Sequence, residues 1–269
     1  MTSESSPIYI RTIRLFHFFA ARRSGQHAII GWLQSLMQCN NDRINNCSLP
    51  YNFKASSHRR LRSTSVPDRA LILNYEDKEP QKLEGLHDSG KPIVTGIEGA
   101  ETTYVLVLRD PFNNLASKRR ANPERDLDYA RRELELWKSH AREYLGETCY
   151  LPSAVRINFN KWFADAAYRA RLSTELKTDL PADTPAANAA LQFVPATGQS
   201  QFDGRRFLGR AQSMDVLHRW KQLRDDPIYM EAIRDRELIE LSARIFNLDG
   251  IHELLNGIDF TAARSGEIS

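Results

Sequence analysis

The fold is decided by residues 8–37, which read IYIRTIRLFHFFAARRSGQHAIIGWLQSLM. Residues 8–19 are rich in isoleucine and phenylalanine, which is typical of a strand that becomes buried toward its end. A short basic turn follows at residues 22–25. Beyond it, apolar side chains recur at helical spacing, at Ala28, Ile29, Trp32, Leu33, Leu36 and Met37. The chain therefore opens with a strand, a glycine-containing turn and a helix.

Three further stretches predict strands. Residues 70–75 are a short apolar run, and residues 154–159 alternate between apolar and polar side chains. The third, residues 104–108, is uninterrupted, which is typical of a strand buried on both faces of a parallel sheet. Asp110 and Pro111 follow it and predict a helix start, as N-cap and first helical residue.

Helical periodicity follows these strands at residues 124–145, at 161–176 and after residue 227. Strands that alternate with helices predict an α/β fold. We expect three layers, α/β/α, around a central parallel sheet with a P-loop-like first turn.

We expect a single domain over residues 1–269. Residues 1–7 are polar and lack a basic region, so they predict a flexible tail and no signal peptide. Residues 40–68 and 77–100 predict loops. Residues 178–213 are rich in Pro, Ala, Gly and Gln, and a stretch that long is often a functional loop or lid.

The charge balance is nearly neutral, with 37 Lys and Arg against 34 Asp and Glu and a formal charge of +3. This balance argues against a dedicated nucleic-acid binder, although local arginine clusters favour a discrete anionic ligand. The apolar run at residues 15–21 is too short to span a bilayer. Three cysteines without a CxxC pattern indicate neither a disulfide scaffold nor a zinc site. The sequence predicts a cytoplasmic protein without a membrane span, and it leaves the oligomeric state open.

A first anion site is predicted at the turn after the first strand. The opening amides of a helix have no partner within the helix, and the helix dipole adds partial positive charge there. Gly25 lets an anion approach the backbone, and Ser24 offers a hydroxyl. Arg22 and Arg23 offer guanidinium groups. The Walker A pattern GxxxxGK[ST] is absent, and an ordinary strand-to-helix turn is the alternative for this stretch alone.

A second anion site is predicted at the end of strand 104–108. Arg109 stands at the carboxyl end, where ligands collect in open α/β sheets. Ser117 lies eight residues later, about two helical turns on, along the same side of the helix as its N-cap. Arg109 and Ser117 together can hold one phosphate. The alternative for Arg109 is an ion pair with Asp110 or another acid.

Together the two motifs resemble those of the sulfotransferases that use 3′-phosphoadenosine 5′-phosphosulfate (PAPS). The family's first motif is basic-Ser-Gly-Thr-(Thr or His), and RSGQH at residues 23–27 is similar to it. The second is Arg-Asp-Pro with a serine eight residues after the arginine, as in residues 109–117. Gln26 departs from the usual threonine and offers an amide donor instead of a hydroxyl. The resemblance covers residues 8–38 and 102–176.

The resemblance implies an enzyme that transfers a sulfuryl group from PAPS to a hydroxyl or amine acceptor and releases adenosine 3′,5′-bisphosphate, without a metal. The acceptor would be a small molecule, a glycan or a lipid, and no nucleic-acid partner is expected. Arg109 and Ser117 would hold the 3′-phosphate. The residues that would bind the 5′-phosphosulfate are Arg22, Arg23, Ser24, Gly25, Gln26 and His27. Of these, Arg23 would also act in catalysis by stabilising the leaving phosphate.

The resemblance also implies a general base that takes the acceptor proton. Relatives place a histidine or glutamate at the end of the second strand, where this chain has Glu76, and His87 is the alternative. The family's glycine-rich Trp-Lys segment has no good match near the C-terminus. Arg205, Arg206 or Arg210 is the candidate to cap the 3′-phosphate there. Phe202 is the candidate to stack on the adenine, and packing is the alternative for it.

Two other functions stay open at this stage. A P-loop nucleotide kinase-like phosphotransferase normally needs Mg²⁺ and a loop lysine, and the first turn has no lysine. A non-catalytic polyanion- or RNA-binding module would use the arginine clusters, and its affinity would fall steeply with salt.

Overall fold

The structure is a computed structural model that describes residues 13–52, 69–84, 93–95, 99–192, 207, 209–248, 251 and 255. Their strands are β1 (Ile13–Ala20), β2 (Asn40–Ile44), β3 (Tyr51–Asn52), β4 (Arg69–Glu76), β5 (Val94–Thr95), β6 (Glu101–Leu108) and β7 (Val155–Asn158). Their α-helices are α1 (Gln26–Ser35), α2 (Pro111–Ala121), α3 (Leu127–Leu145), α4 (Phe159–Ala164), α5 (Ala166–Glu175), α6 (Pro185–Leu191), α7 (Pro227–Ala232) and α8 (Arg236–Ile245). Short 3₁₀ turns are Pro80–Leu83, Ala211–Ser213 and Arg219–Leu223.

A five-stranded sheet forms the centre of the molecule, in the order β2-β4-β1-β6-β7. Every neighbouring pair in it is parallel. The chain first builds the sheet on one side of β1, through β2 and β4, and then on the other side, through β6 and β7. The carboxyl ends of β1, β4 and β6 therefore lie side by side, at the kind of crevice where open α/β sheets bind ligands.

Both faces of the sheet are buried. Phe16 and Phe18 of β1 point to the face that α1, α5 and α6 cover. Leu15 and Phe19 point to the opposite face, together with alternate residues of β4. A separate cluster joins α2, α3, α7 and α8 around Trp137. The predicted three-layer α/β/α fold with a central parallel sheet is confirmed.

The expectation of a loop over residues 40–68 was wrong in part, because β2 and β3 lie within it. Strand β2 reads NNDRI, which carries no apolar pattern, and it is the edge strand that pairs with β4. Arg69 of β4 donates two hydrogen bonds to Asp42 of β2. Likewise, residues 77–100 contain a 3₁₀ turn and β5, which forms a small separate sheet with β3.

Two predicted helices are each divided in two. Asp165 interrupts residues 161–176 in an extended conformation, and its carboxylate accepts from the amides of Ala167 and Tyr168. Asp235 caps α8 in the same way, by accepting from Leu238 N. Aspartate favours such N-cap positions over helix interiors.

Helix α6 lies inside the expected loop 178–213 and packs against α1. Thr184 caps α6, and Pro185 is its first residue. The predicted helix start at Asp110 and Pro111 is confirmed, since Asp110 accepts from Asn113 N. Within the described part of the chain, no helix is long and apolar enough to cross a bilayer.

Candidate functional site

The turn between β1 and α1 contains two left-handed residues. Arg23 has φ 67° and Gly25 has φ 81°. The first hydrogen bond within α1 runs from Ala28 N to Gly25 O, at 3.0 Å. The preceding amides of Gln26 and His27 stand at the amino end of the helix, where N–H groups have no partner within the helix. This geometry presents backbone donors at the carboxyl end of a buried parallel strand, which suits a small anion.

Helix α2 and the end of β6 hold this turn in place. The Asn114 amide donates to Arg22 O at 2.9 Å and to Ser24 Oγ at 3.1 Å. The Arg109 guanidinium donates to Arg23 O at 3.0 Å. The two sequence motifs, 86 residues apart, are thus in direct contact.

Phe159 packs directly behind Gly25. A Cβ placed on Gly25 would lie 2.0 Å from Cε2 of Phe159, so only glycine fits there without movement. The guanidinium carbon of Arg109 lies 5.2 Å from the centre of the same ring, within cation–π range. Because Phe159 opens α4 directly after β7, the end of a fourth strand also supports the turn.

Ser117 receives two guanidinium groups. Arg109 Nη1 donates to Ser117 Oγ at 3.3 Å, and Arg219 Nη1 donates to the same oxygen at 3.0 Å. The Ser117 hydroxyl in turn donates to Asn113 O at 2.8 Å. Arg109 is 2% exposed and Arg219 is 8% exposed. Two largely buried guanidinium groups therefore converge on one hydroxyl oxygen, and guanidinium groups are suited to binding phosphate.

The segment that carries Arg219 is fixed to α2. The Asn113 amide donates to Leu217 O at 2.8 Å, and Arg109 Nη2 donates to Val216 O. Asp110 accepts from the side chains of Asn113 and Asn160, at 3.0 Å and 2.9 Å. The Arg-Asp-Pro segment thus joins α2, α4 and the C-terminal part of the chain.

Glu76, at the end of β4, is bound to the turn rather than exposed. Its Oε1 accepts from His27 Nε2 at 2.7 Å, from Gln26 Nε2 at 3.2 Å and from Asn74 Nδ2 at 3.1 Å. Arg22 Nε lies 3.5 Å from Oε2. The hydrogen bond from His27 is the main cause that lowers the pKa of Glu76, against the opposing effect of burial. Glu76 is therefore an ionised carboxylate that orders the side chains of the turn.

Asp77 adds a second carboxylate beside the turn. It adopts φ 54° and accepts from Arg22 N at 2.7 Å, while Arg22 Nε lies 3.0 Å from its other oxygen. Lys118 Nζ lies 3.8 Å from Asp77 and also contacts Glu133. Arg22 is thus held by two carboxylates. A bound anion would share the positive charge of Arg22 with them.

The structure brings together nine of the sequence-predicted site residues, Arg22, Arg23, Ser24, Gly25, Gln26, His27, Glu76, Arg109 and Ser117. Of the others, His87, Phe202, Arg205 and Arg206 lie outside the described residues, and Arg210 directly precedes the 3₁₀ turn Ala211–Ser213. In the described residues, no group of three His, Cys, Asp or Glu side chains is placed to hold a metal ion.

Sequence reasoning missed Asn114, Phe159, Asp77 and Arg219. The first three lie within six residues of a predicted strand end, so closeness to those ends was a usable signal. Arg219 lies in a 3₁₀ turn of a stretch without periodicity. No local pattern marked it.

Replacing Glu76 by glutamine is expected to destabilise the protein at neutral pH. A carboxylate whose pKa is lowered by folding stabilises the native state above its ordinary pKa, and that stability is lost as the pH falls through its native pKa. The difference in unfolding free energy between wild type and Glu76→Gln should therefore be largest near neutral pH and shrink in acid. Urea unfolding over a pH series measures it. Glu124→Gln, an exposed site, serves as control, and a difference that does not depend on pH would contradict the prediction.

No protein-family model matches the chain, and no curated protein matches it. Among solved structures, it is similar to the sulfotransferase domain from the Synechococcus PCC 7002 olefin synthase. The TM-score is 0.46 and the sequence identity 10%, over 83% of this chain and 98% of that chain.

Proposed function

We propose that the protein is a sulfotransferase that uses PAPS, transfers its sulfuryl group to a hydroxyl or amine acceptor and releases adenosine 3′,5′-bisphosphate. The observation that carries the proposal is the position of Arg109. Its guanidinium reaches Arg23 O in one motif and Ser117 Oγ in the other, at 3.0 Å and 3.3 Å. One nucleotide with phosphates at both ends would engage both motifs at once.

The 5′ side of the donor is assigned to the β1–α1 turn. The amides at the start of α1, with Arg22 and Arg23, supply donors and positive charge where charge develops on the leaving phosphate. Arg23 itself has φ 67°, a strained conformation for a residue with a side chain. That strain is consistent with a backbone shaped for a ligand.

The 3′-phosphate is assigned to Arg109, Ser117 and Arg219. Two guanidinium groups around one hydroxyl offer several N–H donors to phosphate oxygens. Arg219 is thus a further candidate for the 3′-phosphate beside Arg205, Arg206 and Arg210. These three residues, and Phe202 as the candidate to stack on the adenine, stay predictions.

Sulfuryl transfer also requires a base for the acceptor proton. Glu76 is the first candidate because it stands at the end of β4 and contacts the turn through Gln26 and His27. His87 is the second candidate. The same proposal includes an acceptor that is a small molecule, a glycan or a lipid. It also includes a reaction that requires no metal and a cytoplasmic location.

Isothermal titration tests the donor site with adenosine 3′,5′-bisphosphate and with adenosine 5′-monophosphate, which lacks the 3′-phosphate. Wild type should bind the bisphosphate more tightly. Ser117→Ala and Arg219→Ala should each weaken bisphosphate binding by about tenfold, from the loss of roughly 1.4 kcal/mol of charge-assisted hydrogen bonding. Monophosphate binding should change little.

Lys221→Ala is the matched control, since Lys221 lies in the same 3₁₀ turn and stacks on Trp220 with its ammonium 5.6 Å from the ring centre. It should leave both affinities unchanged. The proposal fails if wild type does not bind the bisphosphate. It also fails if ATP with Mg²⁺ binds more tightly, which would favour a phosphotransferase, or if RNA binds with a steep salt dependence.

A further inference from the structure

Asp77 directly follows β4 and connects its end to the turn after β1. Its amide donates to Ala20 O, at the end of β1, at 3.1 Å. Its Oδ1 accepts from Arg22 N at 2.7 Å, and its Oδ2 lies 3.0 Å from Arg22 Nε. One carboxylate therefore holds both the backbone and the side chain of Arg22.

The backbone of Asp77 is strained. Its φ is 54°, in the left-handed region that glycine adopts readily and that is costly for a residue with a side chain. Strain of this kind persists where surrounding contacts hold it, and it is concentrated at functional sites. The strained residue places its carboxylate beside Arg22, which opens the turn assigned to the donor.

The terminal nitrogens of Arg22 are accessible to a ligand. Both carboxylates lie near its Nε, at 3.0 Å for Asp77 and 3.5 Å for Glu76. Nη1 and Nη2 make no hydrogen bond or ion pair with any described residue besides these two acids, and the side chain is 56% exposed. A ligand at this turn can therefore reach both nitrogens without displacing another protein group.

Asp77 constrains Arg22 more than Glu76 does. Glu76 lies farther away, and its Oε1 already accepts from three other side chains. Asp77 contacts Arg22 at two points, the backbone amide and Nε. A long, exposed side chain that rotates freely loses entropy when a ligand orders it. Because Asp77 already holds Arg22, part of that cost is removed before the ligand binds.

We propose that Asp77 is a positioning residue, which fixes Arg22 so that its terminal nitrogens bind the 5′-phosphosulfate of the donor. This inference rests on the proposed sulfotransferase function. In the reaction, the acceptor oxygen forms a bond to sulfur, and its proton goes to the general base. The bond from sulfur to the 5′-phosphate oxygen breaks, and its electron pair leaves with adenosine 3′,5′-bisphosphate. Arg22 stays protonated and stabilises the charge that develops on that oxygen.

Asp77→Asn removes the ion pair and can keep the backbone contact. Asparagine tolerates the left-handed conformation, and its amide oxygen can still accept from Arg22 N, while an NH₂ group replaces the oxygen that faces Arg22 Nε. Isothermal titration compares adenosine 3′,5′-bisphosphate with adenosine 3′-monophosphate, which lacks the 5′-phosphate. Asp77→Asn should weaken bisphosphate binding by about threefold to tenfold, from the cost of ordering one long side chain. Monophosphate binding should stay unchanged.

The sign of the change separates positioning from charge neutralisation. If Asp77 only offset the charge of Arg22, removing its negative charge would make the site more positive and strengthen bisphosphate binding. An affinity that rises or stays the same in Asp77→Asn would therefore overturn the inference. Glu79→Gln is the matched control, because it removes a charge two residues farther along, where Glu79 pairs with exposed Lys82 at 3.6 Å. It should change neither affinity.

A double-mutant cycle tests whether Asp77 acts through Arg22. Arg22→Ala should also weaken bisphosphate binding, and Asp77→Asn should add little to that loss. Release of sulfate from radiolabelled PAPS, with water as the acceptor, should follow the same pattern. Each single variant should lose about tenfold in rate, and the double variant should lose no more. A residue that only stabilised the fold would weaken binding equally with and without Arg22, and that result would contradict the inference.

The two proposals fail in different ways. If wild type binds no bisphosphate and releases no sulfate, the sulfotransferase function itself is wrong. If wild type binds and releases sulfate but Asp77→Asn matches it in both, only the role of Asp77 is wrong. If Asp77→Asn also loses monophosphate binding, the substitution has disturbed the whole site, and Asp77 is a structural residue.

Discussion

Gly25→Ala is expected to destabilise the protein by about 3 kcal/mol and to abolish measurable binding of adenosine 3′,5′-bisphosphate. Part of the cost is conformational, since a left-handed backbone costs an L-residue about 1–2 kcal/mol. The rest is steric, because the new Cβ would lie 2.0 Å from Cε2 and 2.3 Å from Cδ2 of Phe159. Overpacking of this kind costs about 1–3 kcal/mol. Urea unfolding and isothermal titration measure the two effects.

Phe159 cannot easily move away from the new methyl group. It is 4% exposed and packs against Trp162 and Phe163, with ring centres 5.9 Å and 6.0 Å away. Gly25→Ala should therefore cost less when it is introduced into Phe159→Ala, which removes both Cε2 and Cδ2 of the ring, and the difference is the steric part of the loss. That double variant separates the two causes.

Gly31→Ala is the matched control in the same helix. Nothing lies within 4 Å of a Cβ added at Gly31, and its backbone is helical. This variant should stabilise the protein by about 0.5–1 kcal/mol, since alanine favours helix over glycine. If Gly25→Ala were as stable as Gly31→Ala, the close packing of Phe159 against the turn would be wrong.

The central strands were predictable because their own apolar residues indicate that they are buried. β1, β4 and β6 each carry apolar runs, and a buried parallel strand needs little else. β2 was not predictable from the same signal. Its polar residues form an edge strand only because β4 offers a partner and Arg69 binds Asp42. Its structure is a tertiary property, which single-sequence periodicity does not record.

The grouping of the site followed from one topological rule. Parallel strands end at a common edge, so Arg23 and Arg109 were expected near each other, and the resemblance added Glu76. The structure places all three at that edge. The particular contacts did not follow. That Glu76 is bound by the side chains of the turn depends on distances of a few ångströms, which no spacing in the sequence specifies. The prediction of a lid at residues 178–213 depends on tertiary detail of this kind. The choice of the general base does so too.

Arg109→Ala is expected to weaken binding of adenosine 3′,5′-bisphosphate by about 100-fold and to destabilise the protein by about 2–4 kcal/mol. The guanidinium donates to the backbone oxygens of Arg23 and Val216 and to Ser117 Oγ, and it lies over Phe159. Truncation leaves buried acceptors without these donors, at about 1–3 kcal/mol each when water cannot replace them. The affinity loss corresponds to about 2.8 kcal/mol, as expected when a charge-assisted contact to phosphate is removed.

Arg109→Lys separates charge from geometry. A lysine keeps the positive charge, but a single ammonium cannot reach Arg23, Ser117 and Val216 together, as the planar guanidinium does. Compared with Arg109→Ala, Arg109→Lys should recover only part of the bisphosphate affinity and little of the stability. The reason is that the turn between β1 and α1 loses the guanidinium hydrogen bonds that connect it to the end of β6. Titration with adenosine 5′-monophosphate completes the comparison: in Arg109→Lys its binding should fall less than that of the bisphosphate. Equal losses for both ligands would mean that Arg109 acts on the turn alone, and the 3′-phosphate would then have to be held by Ser117 and Arg219 without it.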